Sequence, residues 1–148
     1  MISICPYDKS FLKHSFIWLN DFTTKSLTNS NTFTKEEQLK WFTSINKKKD
    51  YLIWGILHNT LPIGACGLKN ITCADAEYWG YIGEKSFLGK GHGWEILHLM
   101  EEKAKTLSLD SLWLQVVDFN ERAINLYYKN GFKQEKKENN IIYMRKKL

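Results

Sequence analysis

The chain has 148 residues, with 21 Lys and Arg against 16 Asp and Glu, for a formal net charge of +5. This length suits a single domain spanning residues 1–148, because a chain of this size buries roughly 68–70% of its unfolded surface without staples. Hydrophobic residues make up 43% and aromatics 14% of the chain, with six Trp, a composition that excludes a disordered or low-complexity protein. The last twenty residues hold seven basic and two acidic side chains, so they carry the whole excess and the first 128 are neutral. That distribution speaks against a dedicated nucleic-acid binder, which spreads its basic charge over a surface. The terminal excess either draws in a polyanionic ligand or, for Arg145–Lys147, solubilises an edge strand.

Cys5, Cys66 and Cys73 are odd in number and form no CxxC, and no close Cys or His pair has metal-ligand spacing. Neither a disulfide framework nor a metal site is expected, and reduced thiols suit a cytoplasmic protein. No basic stretch runs into an apolar one at the N-terminus, and no apolar stretch approaches the ~20 residues of a membrane span.

In chain order, Ile2–Cys5 reads as a short strand closed by Pro6, and residues 9–20 as a helix with apolar Phe11, Leu12, Phe16, Trp18 and Leu19. Residues 21–33, rich in Thr, Ser and Asn, read as a loop. Thr34 with Glu37 forms a capping box that opens a helix through Leu39, Phe42 and Ile45. Tyr51–Leu57, Ile63–Leu68 and Ala76–Ile82 have strand character, with turns at His58–Thr60 and Asn70–Asp75, so an antiparallel meander is expected. A helix follows with Leu97, Met100, Ala104 and Leu107 in one stripe, and then a compact apolar strand, Ser111–Val117. Asn120 caps a further helix carrying Ala123, Ile124, Leu126 and Tyr127, and Gly131 supplies its C-terminal stop. Strands near Phe132–Lys136 and Ile141–Arg145 end the chain. The predicted fold is α/β, a mixed, mostly antiparallel sheet in the order β-α-α-β-β-β-α-β-α-β-β. The helix between Ala76–Ile82 and Ser111–Val117 makes those two strands a parallel pair.

The informative segment is Leu88-Gly89-Lys90-Gly91-His92-Gly93, three glycines in five residues ahead of a helix. Glycines let main chain approach a ligand, and free N–H groups at a helix start attract a phosphate or pyrophosphate. A Walker loop does not fit, since five residues rather than four separate Gly83 from Gly89 and no Ser or Thr follows Lys90. A dinucleotide fingerprint does not fit either, since its third glycine would be Trp94.

The loop resembles the pyrophosphate-binding motif [Gln/Arg]-x-x-Gly-x-[Gly/Ala] of the GNAT acetyltransferases, with Gly91 and Gly93 at its last two fixed positions and Leu88 in place of Gln or Arg. Asn120-Glu-Arg-Ala-Ile-Asn-Leu-Tyr-Tyr-Lys-Asn-Gly-Phe132 is similar to the same family's Asn-x-x-Ala-x-x-Leu-Tyr-x-Lys-x-Gly-Phe segment at every fixed position. The order and separation of the two motifs, and the element order around them, fit that family over nearly the full chain.

The resemblance implies acetyl-CoA as cofactor, direct attack by an amine, and no metal. It makes Tyr127 the general acid that protonates the departing thiolate, a role suited to a phenol with an ordinary pKa near 10. Glu77 is the first choice for general base; its other reading is a surface strand carboxylate. The amides from Leu88 and Gly89 through Lys90, Gly91, His92 and Gly93 are implied to hold the phosphates, with the side chains of Lys90 and Lys129 nearby. Asn120, Tyr81 and Ile82 are implied to line the pantetheine arm.

The first two helices are similar to those of the ribosomal-protein N-terminal acetyltransferases and of enzymes that acetylate nucleotide-linked amino sugars, including the pseudaminic acid pathway N-acetyltransferase. A Trp-Arg-Asn common there is Trp18-Leu19-Asn20 here. This implies an acceptor contact by Trp18, Asn20 and Trp41, with two of Trp18, Trp41 and Phe42 in the core. The function so implied is N-acetylation of a small-molecule primary amine by a cytoplasmic monomer or homodimer, and the short chain with Trp41-Phe42 leans toward the branch that acts on a nucleotide-linked amino sugar. The other readings are peptide α-amine acetylation and a non-catalytic acyl-CoA-binding module.

Overall fold

A computed structural model describes residues 1–148. Strand β1 (Ile2–Pro6) precedes helices α1 (Lys9–Asn20), α2 (Phe22–Leu27) and α3 (Lys35–Ile45). Strands β2 (Leu52–His58), β3 (Leu61–Lys69) and β4 (Asp75–Ile82) follow, then α4 (His92–Thr106), β5 (Ser111–Val117), α5 (Glu121–Lys129), β6 (Lys133–Glu138) and β7 (Ile141–Lys147). The seven strands form one sheet in the order β1-β2-β3-β4-β5-β7-β6. Every neighbouring pair is antiparallel except β4–β5, which is parallel. No helix is long and apolar enough to cross a membrane.

Local chemistry accounts for the helix starts. The Asp8 side chain accepts from the Ser10 amide at 2.9 Å. At α3 the capping box is complete: Thr34 Oγ1 accepts from the Glu37 amide at 3.1 Å, and Glu37 Oε1 accepts from the Thr34 amide at 3.0 Å. Helix α2 lies where a loop is expected. Its Thr- and Ser-rich sequence has poor intrinsic helicity. The Asp21 carboxylate accepting from the Thr24 amide at 3.1 Å, and burial of Thr24, hold it in place.

The sheet divides the interior into two cores. On one face Leu97, Met100 and Ala104 of α4 pack with Leu112, Leu114 and Met144, all fully buried. Leu107, expected in that stripe, lies past the last turn of α4 and is exposed. On the other face Phe11 and Trp18 of α1 pack with Phe42 and Ile45 of α3 over Ala65.

Two features shape the site. Pairing between β4 and β5 covers only Asp75–Glu77 against Ser111–Trp113. Beyond that the strands separate, so Tyr78–Ile82 pair with β3 alone. At the paired end Arg145 of β7 ties both strands, with Nη1 donating to Asp75 Oδ2 at 2.9 Å and to Ser111 Oγ at 2.8 Å. Arg145 Nε also binds Glu135 at 3.1 Å, and Lys146 Nζ reaches the buried Glu101 of α4 at 2.8 Å. This corrects the edge-strand reading of Arg145–Lys147. β7 lies inside the sheet between β5 and β6, and the exposed lysine-rich edge is β6.

Candidate functional site

The gap between β4 and β5 opens into a cleft of about 1540 Å³ that reaches from the glycine loop to α1, α3 and the segment before α3. At one end, Gly89 and Gly91 have φ of +73° and +83°, values that favour glycine. Gly91 is the N-cap of α4, and a Cβ placed on it would meet nothing within 4 Å, so its main chain faces open space. The amides of Gly89, Lys90 and Gly91 donate to no backbone carbonyl. With the start of α4 they form a cradle of unspent donors at a positive helix end.

Leu88, Gly89, Gly91, His92 and Gly93 all line the cleft, as do Tyr81, Ile82 and Asn120. The Asn120 side chain also accepts from the Ala123 amide at 3.4 Å, capping α5. His92 Nδ1 pairs with Glu95 at 3.1 Å. The side chains of Lys90 and Lys129 lie outside the lining, and the Lys90 ammonium sits 5.8 Å from the centre of the Phe87 ring.

Tyr127 also lines the cleft, edge-on to Tyr78 with ring centres 6.3 Å apart and packed on Phe132. Burial pushes its phenol up to about 12. Its neighbour Tyr128, on a different face of the helix, is exposed.

Glu77 is the last β4 residue paired with β5, and only 4% of it is exposed. Its Oε1 accepts from Asn70 Nδ2 at 3.0 Å, its Oε2 accepts from Gln115 Nε2 at 3.3 Å, and Lys69 Nζ lies 3.8 Å away. Burial raises its pKa above the ordinary glutamate value, and Lys69, Asn70 and Gln115 offset part of the rise.

The opposite wall is aromatic, contributed by Tyr7, Trp41, Tyr51, Trp79 and Tyr81. Trp79 and Tyr81 lie near-parallel at 6.3 Å, and Trp41 stands edge-on to Tyr7 at 6.2 Å. Ser15 Oγ accepts from Tyr7 at 2.8 Å and from Tyr81 at 3.2 Å, fixing both phenols. The rim is Thr28, Asn29, Ser30, Asn31 and Thr32, all neutral hydrogen-bonding side chains.

Trp41 is 38% exposed and lines this wall, whereas Trp18 and Asn20 do not. Trp18 is buried at 4%, donates to Glu84 at 2.9 Å, and occupies the space a Cβ on Gly83 would need. Asn20 donates back to the Phe16 carbonyl at 2.7 Å. These two side chains build the wall's support rather than its surface, and Trp18 and Phe42 are the two core members of the aromatic set.

Several lining residues escape a reading of sequence alone. Trp79 shares the face of β4 that carries Glu77 and Tyr81 by two-residue alternation, a visible signal once those two are considered. Arg122 is one helical turn from Leu126, which packs against Gly93, so the same helix face turns it toward the loop. Tyr7, Ser15 and Tyr51 carry no local signal.

The sequence profile of the acetyltransferase (GNAT) family matches residues 16–132. No curated protein matches the chain at the level of sequence. Among solved structures, a domain from Methanocaldococcus jannaschii is similar at 20% identity, with a TM-score of 0.89 over 100% of this chain and 99% of that one. The PaiA N-acetyltransferase of Thermoplasma acidophilum, in complex with coenzyme A, has 24% identity and a TM-score of 0.79 over 100% and 99%. The Campylobacter jejuni N-acetyltransferase PseH, in complex with acetyl coenzyme A, has 17% identity and a TM-score of 0.77 over 99% of each chain. These likenesses carry the fold, and the profile carries the family. The chain belongs to the acetyltransferase (GNAT) family and is an acyltransferase that uses acetyl-CoA.

Proposed function

We propose that this enzyme N-acetylates the primary amine of a small molecule with a sugar-like body, in the first instance a nucleotide-linked amino sugar. The observation that carries the reading is the acceptor wall. Aromatic faces suit the C–H surfaces of a sugar ring. The neutral Thr, Asn and Ser rim suits its hydroxyls. A polyamine would call for several free carboxylates, and besides Glu77 the acid on this side is Glu37, which is engaged in its capping box.

The cleft also fits the cofactor. The cradle at Gly89–Gly91 suits a pyrophosphate, and the unpaired flank of Tyr78–Ile82 suits an extended arm carrying amides. When bound, acetyl-CoA supplies the acyl group and a thiol leaving group. Glu77 takes the proton from the attacking amine at a carboxylate oxygen, directly or through water, and its raised pKa strengthens it as a base. Tyr127 donates the proton of its Oη at the departing sulfur. That hydroxyl makes no hydrogen bond within the protein, so it is free to aim there, and its pKa of about 12 keeps it protonated until called on.

The test is thiol release from acetyl-CoA with a panel of nucleotide-linked amino sugars, free amino sugars, spermidine and peptides with a free α-amine. The highest kcat/KM is expected on the nucleotide-linked amino sugars. Preferential turnover of peptides or spermidine would overturn the acceptor assignment.

A further inference from the structure

The chain has two arginines, and they are used in opposite ways. Arg145 is engaged by Asp75, Ser111 and Glu135. Arg122, in the first turn of α5, has no ion-pair or hydrogen-bond partner and lines the cleft. Its guanidinium nitrogens lie 3.7 and 4.0 Å from where a Cβ on Gly89 would stand, directly across the glycine loop. Within α5 the placement is unfavourable, because a cation in the first turn opposes the positive end of the helix dipole.

The loop lacks a free charge of its own on the cleft side. Leu88 is aliphatic at the position where the loop motif carries Gln or Arg. The Lys90 ammonium is turned onto Phe87, Lys85 is paired with Asp21 at 3.0 Å, and His92 with Glu95 at 3.1 Å. The loop amides supply hydrogen bonds without net charge, whereas a phosphate also calls for a counter-charge. A guanidinium offers both, as a planar fork that binds phosphate oxygens bidentately.

We propose that Arg122 is a phosphate-binding residue for the cofactor, supplying from α5 the charged contact that the side chains of the loop do not offer. This rests on acetyl-CoA binding in the cleft, as read above. The phosphate it meets is either the diphosphate or the 3′-phosphate of coenzyme A, and the two are separable by ligand.

The test is titration calorimetry of wild type and Arg122→Gln with coenzyme A, 3′-dephospho-coenzyme A and pantetheine, with a melting curve of each protein alone. Arg122→Gln is expected to weaken coenzyme A about tenfold, the scale of one charge-assisted phosphate contact, and to leave pantetheine unchanged. An equal loss with dephospho-coenzyme A places the contact on the diphosphate; a loss that disappears with it places the contact on the 3′-phosphate. The ligand-free variant is expected to melt at or above the wild-type temperature, since a cation opposed to the helix dipole has been removed. Unchanged affinity for coenzyme A, or an equal loss for pantetheine, overturns the proposal. Failure of wild type itself to bind coenzyme A overturns the cofactor reading and this assignment with it.

Discussion

The two walls of the cleft are built from different material. Along the glycine loop and the flank of β4 that faces β5, unpaired main chain borders the cleft, held open by Gly89, Gly91 and the early end of the β4–β5 pairing. Across from them, Tyr7, Trp41, Tyr51, Trp79 and Tyr81 present side chains carried on several separate elements. A wall of main chain suits a ligand that every member of a fold shares. A wall of side chains can change its ligand without disturbing the scaffold. Substitutions on the two sides should therefore separate cofactor from acceptor parameters.

The largest test concerns what holds the acceptor wall up. Trp18 is buried, fills the space above Gly83 and stands edge-on to Tyr81. Trp18→Ala is expected to cost about 3–5 kcal/mol of stability, read by denaturant unfolding. A loss below about 1 kcal/mol would show that the wall stands without this core, against the usual cost of such a truncation.

Tyr127→Phe comes next. A general acid contributes on the order of 100-fold, so kcat should fall by that factor with KM for acetyl-CoA unchanged. The melting temperature should hold, because the hydroxyl has no partner to lose. Equal kcat in the two proteins at saturating substrate would remove Tyr127 from the chemistry.

Glu77→Gln is expected to lower kcat about tenfold, a modest general-base contribution that water can partly replace. The wild-type kcat/KM should show an acid limb at a pH above the ordinary glutamate pKa, and the variant should lose that limb. Stability gives an independent readout. The folded-state pKa of Glu77 is raised by burial, so its contribution is present at low pH and is lost as pH rises through the folded value. The stability difference between Glu77→Gln and wild type should therefore move in the variant's favour across that rise. A pH-independent difference would contradict the assigned shift.

The smallest effect is expected at Trp41, the half-exposed member of the aromatic wall. Trp41→Ala should raise the acceptor KM several-fold, in keeping with about 1 kcal/mol for a lost aromatic contact, with coenzyme A affinity and stability nearly intact. A change in coenzyme A affinity instead would blur the division between the walls.

The same division explains what was legible from residues alone. The glycine loop and the Asn120–Phe132 helix are local: spacing, caps and turn residues sit next to each other in the chain, so the parallel strand pair and a glycine loop with free amides at a helix start could be anticipated. The short helix at Phe22–Leu27 was not, because its composition is loop-like and a single Asp21 cap with the burial of Thr24 decides the outcome. The place of Arg145–Lys147 inside the sheet escapes a local reading for a different reason. The chain crosses from β5 past β7 to β6, which puts the last strand inside the sheet, and no local pattern reports that crossing. The acceptor wall is the least legible part. Tyr7, Tyr51 and Tyr81 are far apart in sequence and meet only through the register of the sheet and the packing of α1 on it. The resemblance at Trp18-Leu19-Asn20 marks a helix position alone, and only the packing of α1 on the sheet turns Trp18 into the core.

The brevity of the β4–β5 contact has a mechanical consequence. Strands β1–β4 form one leaf and β5, β7 and β6 another, joined along the sheet by three residue pairs. Arg145, bonded to Asp75 and Ser111, pins that junction like a rivet. The sheet is thus a clothes-peg, with its fulcrum at Asp75–Glu77 and its jaws at the glycine loop. At about 3.3 Å per residue, the arm from Glu77 to Ile82 is about 16 Å long, so each degree of rotation moves its tip by about 0.3 Å. The Arg145, Asp75 and Ser111 side chains at that fulcrum lie outside the cleft lining, so a substitution there can tune the mouth without touching anything that enters it.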